Sequence, residues 1–418
     1  MRDIIILIFL TGCIVAAFKK AWWGVLSLAI FSYLNPHAYA WGFVRSLPVY
    51  YVLFLVVVFR TVTAKADEKQ AIPNDWRIWF FVVIWLFMVM SSSQAYFPDA
   101  AWKKLLYVTK IYAPFFFTLV LINTRYKLYC LIVTIGASIG FSGFKGGLFA
   151  ILHGFSARVY GPPKTQFEEN NAFALAVLIG IPLLLIWQKE TVNPWFKKGI
   201  LFAIPVIYSC SLCSWSRGAL LTMTGLTFML ILNSKRKYLA LPLALVGGFF
   251  VKDYLPAEWF GRMNTLETYD SDASAMGRIE AWTDGWYHTL DHPFLGAGFE
   301  GWMIVTQRDW HSSYVEMFSE HGFIAFGFWI SMILGTLVSL TTLPGKVRNI
   351  EGLEWVANYC FMLRASLICF MIGGAFLGLS YWDLLFHLII LSVLVKKFAM
   401  EELAVFKAST MKVRKLHY

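Results

Sequence analysis

Residues 323–343 read FIAFGFWISMILGTLVSLTTL, without one charged side chain. A helix needs about 20 mostly apolar residues to cross the hydrocarbon core of a bilayer, and this stretch is long enough. Its apolar side chains lie all around the helix rather than on one face, as expected of a helix that is not half-exposed to water. Because a helix satisfies its own backbone hydrogen bonds, the stretch predicts a transmembrane helix.

Similar apolar runs recur along the chain. They occupy residues 4–18, 21–34, 47–62, 76–90, 105–122, 126–141, 172–187, 200–212, 219–232, 238–251, 355–379 and 384–395. Several are shorter than about 20 residues, so tilted, kinked or half-crossing helices are expected. We therefore predict an all-α, polytopic transmembrane bundle of about 12 helices. The first run precedes Lys19 and Lys20 and a second apolar run, which favours an uncleaved membrane segment over a signal peptide.

The composition of the 418-residue chain agrees with a membrane protein. It is 58% hydrophobic and only 15% charged, whereas about a quarter of an ordinary soluble protein is charged. The 18 Trp and 19 Tyr fit long boundaries with lipid headgroups. The net charge of +11 lies in short loops between apolar runs rather than in one basic groove, so no nucleic-acid partner is expected.

The basic residues predict the topology. They concentrate in residues 60–77, 125–127, 189–198, 235–237, 346–348 and the tail from Lys396. The positive-inside rule assigns all of these to the cytoplasm of an inner-membrane protein. The side of the N-terminus stays open, because the first two apolar runs are too short to settle whether the helix count is odd or even. An even count would place the N-terminus in the cytoplasm with the C-terminus.

Four regions follow from this topology. Residues 1–141 form N-terminal transmembrane helices, and 142–251 form central ones with a periplasmic loop at 142–171. Residues 252–310 form a large periplasmic loop with helical patterning around 278–290. Residues 311–418 form the C-terminal transmembrane helices and a basic cytoplasmic tail.

Arginines on the outward side run against the positive-inside bias and suggest a function. The planar guanidinium group of arginine suits phosphate and pyrophosphate oxygens. Arg158, Arg217 and Arg278 are of this kind, and His311 follows them in the chain. For any one of these arginines the alternative is a helix-end residue that reaches the lipid phosphates.

Three motifs resemble the bacterial O-antigen ligase and polymerase superfamily. They are SWSRGALL at 214–221, GRIEAW at 277–282 continuing to HPFLGAG at 292–298, and HSSYVEMFSEHG at 311–322. Ser312 stands where the superfamily usually has Asn. The motifs NPH at 35–37, KGG at 145–147, RVYGPP at 158–163 and ENN at 169–171 are similar to the O-glycosylation ligase subgroup.

The resemblance implies a GT-C-type membrane glycosyltransferase that acts as an O-antigen ligase in lipopolysaccharide biosynthesis. The donor would be a glycan on undecaprenyl pyrophosphate and the acceptor the lipid A–core oligosaccharide, with membrane lipids around the protein. Reaction would occur at the periplasmic face, with inversion, and without ATP, metal or other cofactor.

Catalytic roles follow as hypotheses. His311 is the candidate general base, since a neutral imidazole can deprotonate a sugar hydroxyl. A helix beginning at His311 would favour that neutral form. Arg217 and Arg278 would stabilise the charge on the leaving pyrophosphate, with Lys145 and Arg158 as lesser candidates.

Other polar residues allow two interpretations. Glu169 and Asn170 would bind the glycan or cap the helix that follows. Tyr314 would lie on the His311 face of its helix and bind the substrate there. Asp270 and Asp272 match the short DxD pattern of metal-dependent glycosyltransferases, but a two-residue match is weak and we expect no metal.

Rival functions remain open. An O-antigen polymerase or a protein O-glycosylation ligase would use the same residues with another acceptor. A lipid or glycan transporter is the rival of a different class, although transporters place functional charges near the bilayer midplane and often contain two related halves.

Overall fold

The computed structural model describes residues 1–235, 237–238, 254–264 and 273–415, and these residues contain no β-strand. We number the helices along the described chain. They are α1 Arg2–Lys19, α2 Ala21–Tyr33, α3 Val49–Thr63, α4 Trp76–Ser93, α5 Pro98–Leu121, α6 Arg125–Leu152, α7 Asn170–Glu190, α8 Pro194–Leu212, α9 Arg217–Asn233, α10 Ala257–Asn264, α11 Ala273–Asp291, α12 Trp302–Val305, α13 Ser313–Lys346, α14 Glu354–Gly373 and α15 Asp383–Lys415.

The helices confirm a polytopic helical membrane protein. Among the described residues, seven are long and apolar enough to cross a membrane: α4, α5, α6, α7, α8, α13 and α14 with the turn after it. The helices α2, α3 and α9 are apolar but shorter. The run predicted at 238–251 lies outside the described residues apart from Tyr238.

One end of the bundle, which we call the basic face, joins the α1–α2, α3–α4 and α5–α6 connections to the later part of α15. The amide of Ala21 donates to Glu68 over 3.2 Å, and the Gln70 side chain donates to the carbonyl of Ile122 over 3.0 Å. Lys396 and Lys397 reach the same connections, donating to Asp75 over 2.9 Å and to Gln70 over 2.7 Å. The basic connections predicted from the sequence around residue 70 and residue 396 therefore lie together.

A buried ion pair holds this face. Asp75 is the N-cap of α4, and it accepts from Nε of Arg77 at 2.7 Å and from Nη2 at 2.9 Å. Arg77 is only 1% exposed and also donates to Ser392 on α15 over 2.6 Å and to Thr336 on α13 over 3.3 Å. Burial alone would raise the pKa of Asp75, but the hydrogen bonds and charge of Arg77 hold this pKa below its usual range. The pair thus ties three helices together.

The opposite end of the bundle, the site face, consists of residues 34–48, 153–169, 213–216 and 374–382. Asn35 donates to the carbonyl of Pro163 over 2.9 Å, and the amide of Val159 donates to the carbonyl of Cys213 over 3.2 Å. The amides of Trp41 and Gly42 donate to Asp3 over 3.1 and 3.2 Å. The start of α1 therefore lies at the site face, opposite Lys396. This differs from the even helix count, which would place both ends of the chain on one side.

The large-loop motif docks on a break in α13. Gly322 has φ 79°, a left-handed conformation that glycine adopts without steric cost, and it interrupts the helix. The break leaves the carbonyls of Ser319 and Glu320 to accept from the amides of Ala297 and Gly298 over 2.8 and 2.9 Å. The helical patterning predicted around 278–290 is confirmed by α11, which packs against α13.

Candidate active site

Arg217 and Arg278 line one cavity at the site face. The cavity measures about 40 Å³ and is also lined by Asn171, Ser216 and Phe376. The two arginines are 61 positions apart in the sequence, on different helices, yet share this space. Two guanidinium groups around one small polar cavity are suited to an anionic group with several oxygens.

Local structure positions both arginines. Ser216 caps α9, and its hydroxyl accepts from the amide of Ala219 over 3.2 Å, so Arg217 is the first residue of the helix. The positive end of the α9 backbone dipole adds to the charge of Arg217. Arg278 lies in the second turn of α11. Asn171, in the first turn of α7, had no assigned role in the sequence analysis, which named its neighbour Asn170 instead.

Lys145 and Arg158 line a neighbouring cavity of about 290 Å³. The Lys145 ammonium lies 4.7 Å from the centre of the Tyr39 ring, and the Arg158 guanidinium lies 5.2 Å from the Trp215 ring. Such cation–π contacts hold a cation in place while leaving other sides of it accessible. Trp215 directly precedes Ser216, which lines the cavity of Arg217 and Arg278, so the ring that contacts Arg158 links the two cavities. All four predicted cations therefore fall in two adjoining regions of the site face.

His311 is half-exposed and lies outside the helix. Its side chain is 48% exposed, and its Nδ1 is 3.8 Å from the nearer carboxylate oxygen of Asp309. The helix α13 begins at Ser313 with Ser312 as its N-cap, so the expectation of a helix starting at His311 is wrong. His311 instead has φ 46°, which turns the chain before the helix. The ring has access to solvent and a carboxylate beside it.

One segment, residues 374–380, links the start of α13 to the arginine cavity. The Ser313 hydroxyl donates to the carbonyl of Leu377 over 2.7 Å and accepts from the amide of Leu379 over 3.0 Å. Phe376 and Leu377 in turn line the cavity that contains Arg217 and Arg278. His311, two residues before Ser313, is thus connected to the arginine cavity through this segment.

Two of the three remaining predicted residues, Asn170 and Tyr314, donate hydrogen bonds to backbone carbonyls. The Asn170 side chain donates to the carbonyl of Ser214 over 2.7 Å, and the Tyr314 hydroxyl donates to the carbonyl of Met371 over 2.8 Å. Glu169 occupies the N-cap position of α7, but its side chain makes no capping hydrogen bond. None of these three side chains lines the two cavities above. Their predicted substrate contacts remain untested.

Two buried glutamates, Glu316 and Glu320, lie in the motif that begins with His311, and the sequence alone assigned them no role. Glu316 accepts from the amide and hydroxyl of Ser380 over 2.9 and 2.7 Å. Glu320 accepts from the Tyr381 hydroxyl over 2.7 Å and from the amide of Glu300 over 3.1 Å. Spacing of four residues places both carboxylates on one helix face. That spacing in the sequence could have indicated a shared role for the two glutamates. In the structure, they bind segments that precede and follow α13 in the chain.

The described part of the chain contains no cluster of side chains that could bind a metal ion. No group of three or more His, Cys, Asp or Glu side chains there has the geometry of a metal site. The DxD pattern at Asp270 and Asp272 lies outside the described residues.

Two protein families match the chain. Residues 1–192 match a family of unknown function (DUF5935), and residues 202–330 match the O-antigen ligase family. No curated protein matches the chain. The second match includes Arg217, Arg278 and His311, and the first includes Lys145, Arg158 and Asn171. The match at residues 202–330, on a polytopic helical fold, supports a membrane enzyme of the O-antigen ligase/polymerase superfamily.

Proposed function

We propose that this protein ligates O-antigen glycan from undecaprenyl pyrophosphate onto the lipid A–core oligosaccharide at the periplasmic face of the inner membrane. The observation that carries the proposal is the shared cavity of Arg217 and Arg278 within the region that matches the O-antigen ligase family. The basic face would lie in the cytoplasm, in agreement with the positive-inside rule, and the site face in the periplasm.

The arginines would bind the pyrophosphate of the donor. When the bond between the anomeric carbon and the phosphate oxygen breaks, negative charge grows on the leaving undecaprenyl pyrophosphate. Fixed cations that face this charge stabilise the transition state more than the ground state. Lys145 and Arg158 in the neighbouring cavity would hold the part of the donor next to the pyrophosphate.

His311 would act as the general base. It would accept the proton of an acceptor sugar hydroxyl while the hydroxyl oxygen attacks the anomeric carbon from the side opposite the leaving group, which inverts that centre. The Asp309 carboxylate at 3.8 Å would stabilise the resulting imidazolium. The exposure of His311 suits an acceptor that arrives from outside the bundle.

The test is transfer by the purified protein in liposomes that contain undecaprenyl-pyrophosphate glycan and lipid A–core, with chelator and without ATP. His311→Ala should lower the rate by about a hundredfold or more. His153→Ala is the matched control, because His153 is exposed on the same face and lines neither cavity.

Each outcome separates the candidate functions. Glycan on lipid A–core with the wild type and not with His311→Ala supports the ligase with His311 as base. Lengthening of the glycan on its carrier would identify a polymerase instead. Movement of the lipid across vesicles that lack acceptor, without transfer, would identify a transporter.

A further inference from the structure

A second group of cavities is lined mainly by residues of the N-terminal half of the chain. Two cavities of about 490 and 290 Å³ share the side chains of His37, Tyr50 and Lys110 and so form one groove. We call it the N-terminal groove. Its larger part is also lined by Leu47, Val49 and Phe54, and its smaller part by Lys164, Gln166 and Asp383.

The groove lies at membrane depth. The helix α2 has 13 residues and α3 has 15, so at 1.5 Å per residue they extend only ~20 Å and ~22 Å. The hydrocarbon core is about 30 Å thick, so the chain between these helices begins within the outer half of the bilayer. Irregular backbone is tolerated at that depth where it is buried in protein or lines a cavity. Residues 34–48 do line one.

Two charged residues of the groove also lie at this depth. Lys110 is eleven residues from the end of α5 at Leu121, which places it ~17 Å from the basic face. Asp383 begins α15, thirteen residues before Lys396, and so lies ~20 Å from that face. Ionisable residues inside a membrane are costly and usually mark a binding site or pathway.

The polar atoms of the groove are incompletely satisfied. Asp383 is buried, at 6% exposure, and one carboxylate oxygen accepts from the hydroxyl of Ser32. The other oxygen, Oδ1, makes no well-formed hydrogen bond, although the amides of Asp383 and Leu384 lie near this carboxylate. The buried Nδ1 of His37 has no hydrogen-bond partner. A buried carboxylate oxygen without a well-formed hydrogen bond is unfavourable, so it indicates a ligand that supplies a donor. Hydroxyl groups are such donors.

The groove adjoins the candidate active site. Lys164 and Gln166 line it, whereas Pro162 and Pro163, directly before them in the chain, line the cavity of Lys145 and Arg158. Tyr39, two residues after His37, carries the cation–π contact with Lys145. A ligand in the groove would therefore place its head near the donor site.

We propose that the N-terminal groove binds a phosphorylated glycolipid. The acyl part lies along Leu47, Val49 and Phe54, the phosphate lies between Lys110 and Lys164, and a sugar hydroxyl donates to Asp383. This inference rests on the proposed function and deepens it by giving one of its two lipid substrates a binding groove. Either the acceptor glycolipid or the lipid-linked donor glycan has the required chemistry.

The experiment measures direct binding of three lipids to the full-length protein in nanodiscs: lipid A–core, undecaprenyl-pyrophosphate glycan and phosphatidylglycerol. Lys110→Gln should weaken glycolipid binding by roughly tenfold or more, because it removes a charge-assisted contact. Asp383→Asn, which keeps the shape of the side chain, should weaken it too. Lys103→Gln is the control, since Lys103 is an exposed residue of the same helix outside the groove. Thermal unfolding of each variant verifies folding, and Lys164→Gln replaces any variant that does not fold.

Loss of lipid A–core binding alone assigns the groove to the acceptor, and loss of carrier-linked glycan binding assigns it to the donor. Both results support a glycolipid site. Equal loss of all three lipids, or no loss, would overturn it. Transfer by the wild type with an unchanged KM in Lys110→Gln and Asp383→Asn would also overturn it while leaving the proposed function intact. Groove-dependent binding without any transfer would reject the proposed function and keep the glycolipid site.

Discussion

Arginine serves two different purposes at the two ends of this molecule. At the basic face, Arg77 is buried and its donors are directed to Asp75, Thr336 and Ser392. At the site face, Arg217 and Arg278 line a cavity. Arg77 has a carboxylate two positions away in the sequence and lies among three helices, whereas Arg217 and Arg278 come from separate helices and line one cavity. The same residue type is thus part of a buried ion pair at one end of the bundle and of a cavity wall at the other.

The largest expected effect is on stability at the basic face. Arg77→Ala removes the main partner of the buried Asp75, which then keeps only Lys396, and should lower the free energy of unfolding by about 3 kcal/mol. Arg60→Ala is the control, because Arg60 forms a longer, more exposed pair with Glu68 at 3.4 Å and should cost about 0–1 kcal/mol. Denaturation in detergent measures both. Equal losses of unfolding free energy in the two variants would show that burial does not determine how much an ion pair stabilises the protein.

Removal of a site-face arginine should lower the rate of glycan transfer. Arg217→Ala and Arg278→Ala should each lower glycan transfer by about 10²–10³-fold, because a fixed cation opposite the leaving group is lost. The unfolding temperature of each variant, measured beside the rate, verifies that it folds. Arg308→Ala serves as control, since Arg308 is 56% exposed and pairs with Glu280. Transfer at the wild-type rate in both variants would remove these arginines from the mechanism.

Acid should weaken the basic face first. Because the pKa of Asp75 lies below its usual range in the folded protein, its stabilising contribution is complete above about pH 4 and is lost as pH falls toward the folded value. Wild-type unfolding free energy should therefore decline more steeply below about pH 4 than that of Asp75→Asn. Parallel curves for the two proteins would contradict this linkage.

The smallest expected effect concerns the ring that holds Arg158. Trp215→Leu removes the cation–π contact, worth about 0.5–1 kcal/mol, and should raise the KM for the donor about two- to fivefold with kcat unchanged. Trp215→Phe keeps an aromatic face, so its KM for the donor should lie between those of the wild type and Trp215→Leu. A change in kcat alone would place Trp215 at the reacting atoms instead.

Sequence patterns predicted the helices because lipid requires long apolar runs with internal backbone hydrogen bonds. The resemblance of short motifs also selected Arg217, Arg278, Lys145 and Arg158, which the fold gathers into two adjoining cavities. The sequence missed Asn171, since either of two adjacent asparagines fitted the pattern. It placed His311 in a helix because a left-handed φ at a residue other than glycine has no signature in composition.

The amino-acid sequence by itself determined that the chain is a helical membrane protein and which residue types carry charge on each side of it. Apolar runs and basic loops are local properties, and the bilayer acts on them directly. Only the tertiary structure decided which charged side chains form buried ion pairs and which line cavities. It placed Asp383 and Lys110 along one cavity, although more than half of the chain separates them, and it set the start of α1 at the site face. Both placements depend on how the helices pack and not on any one segment.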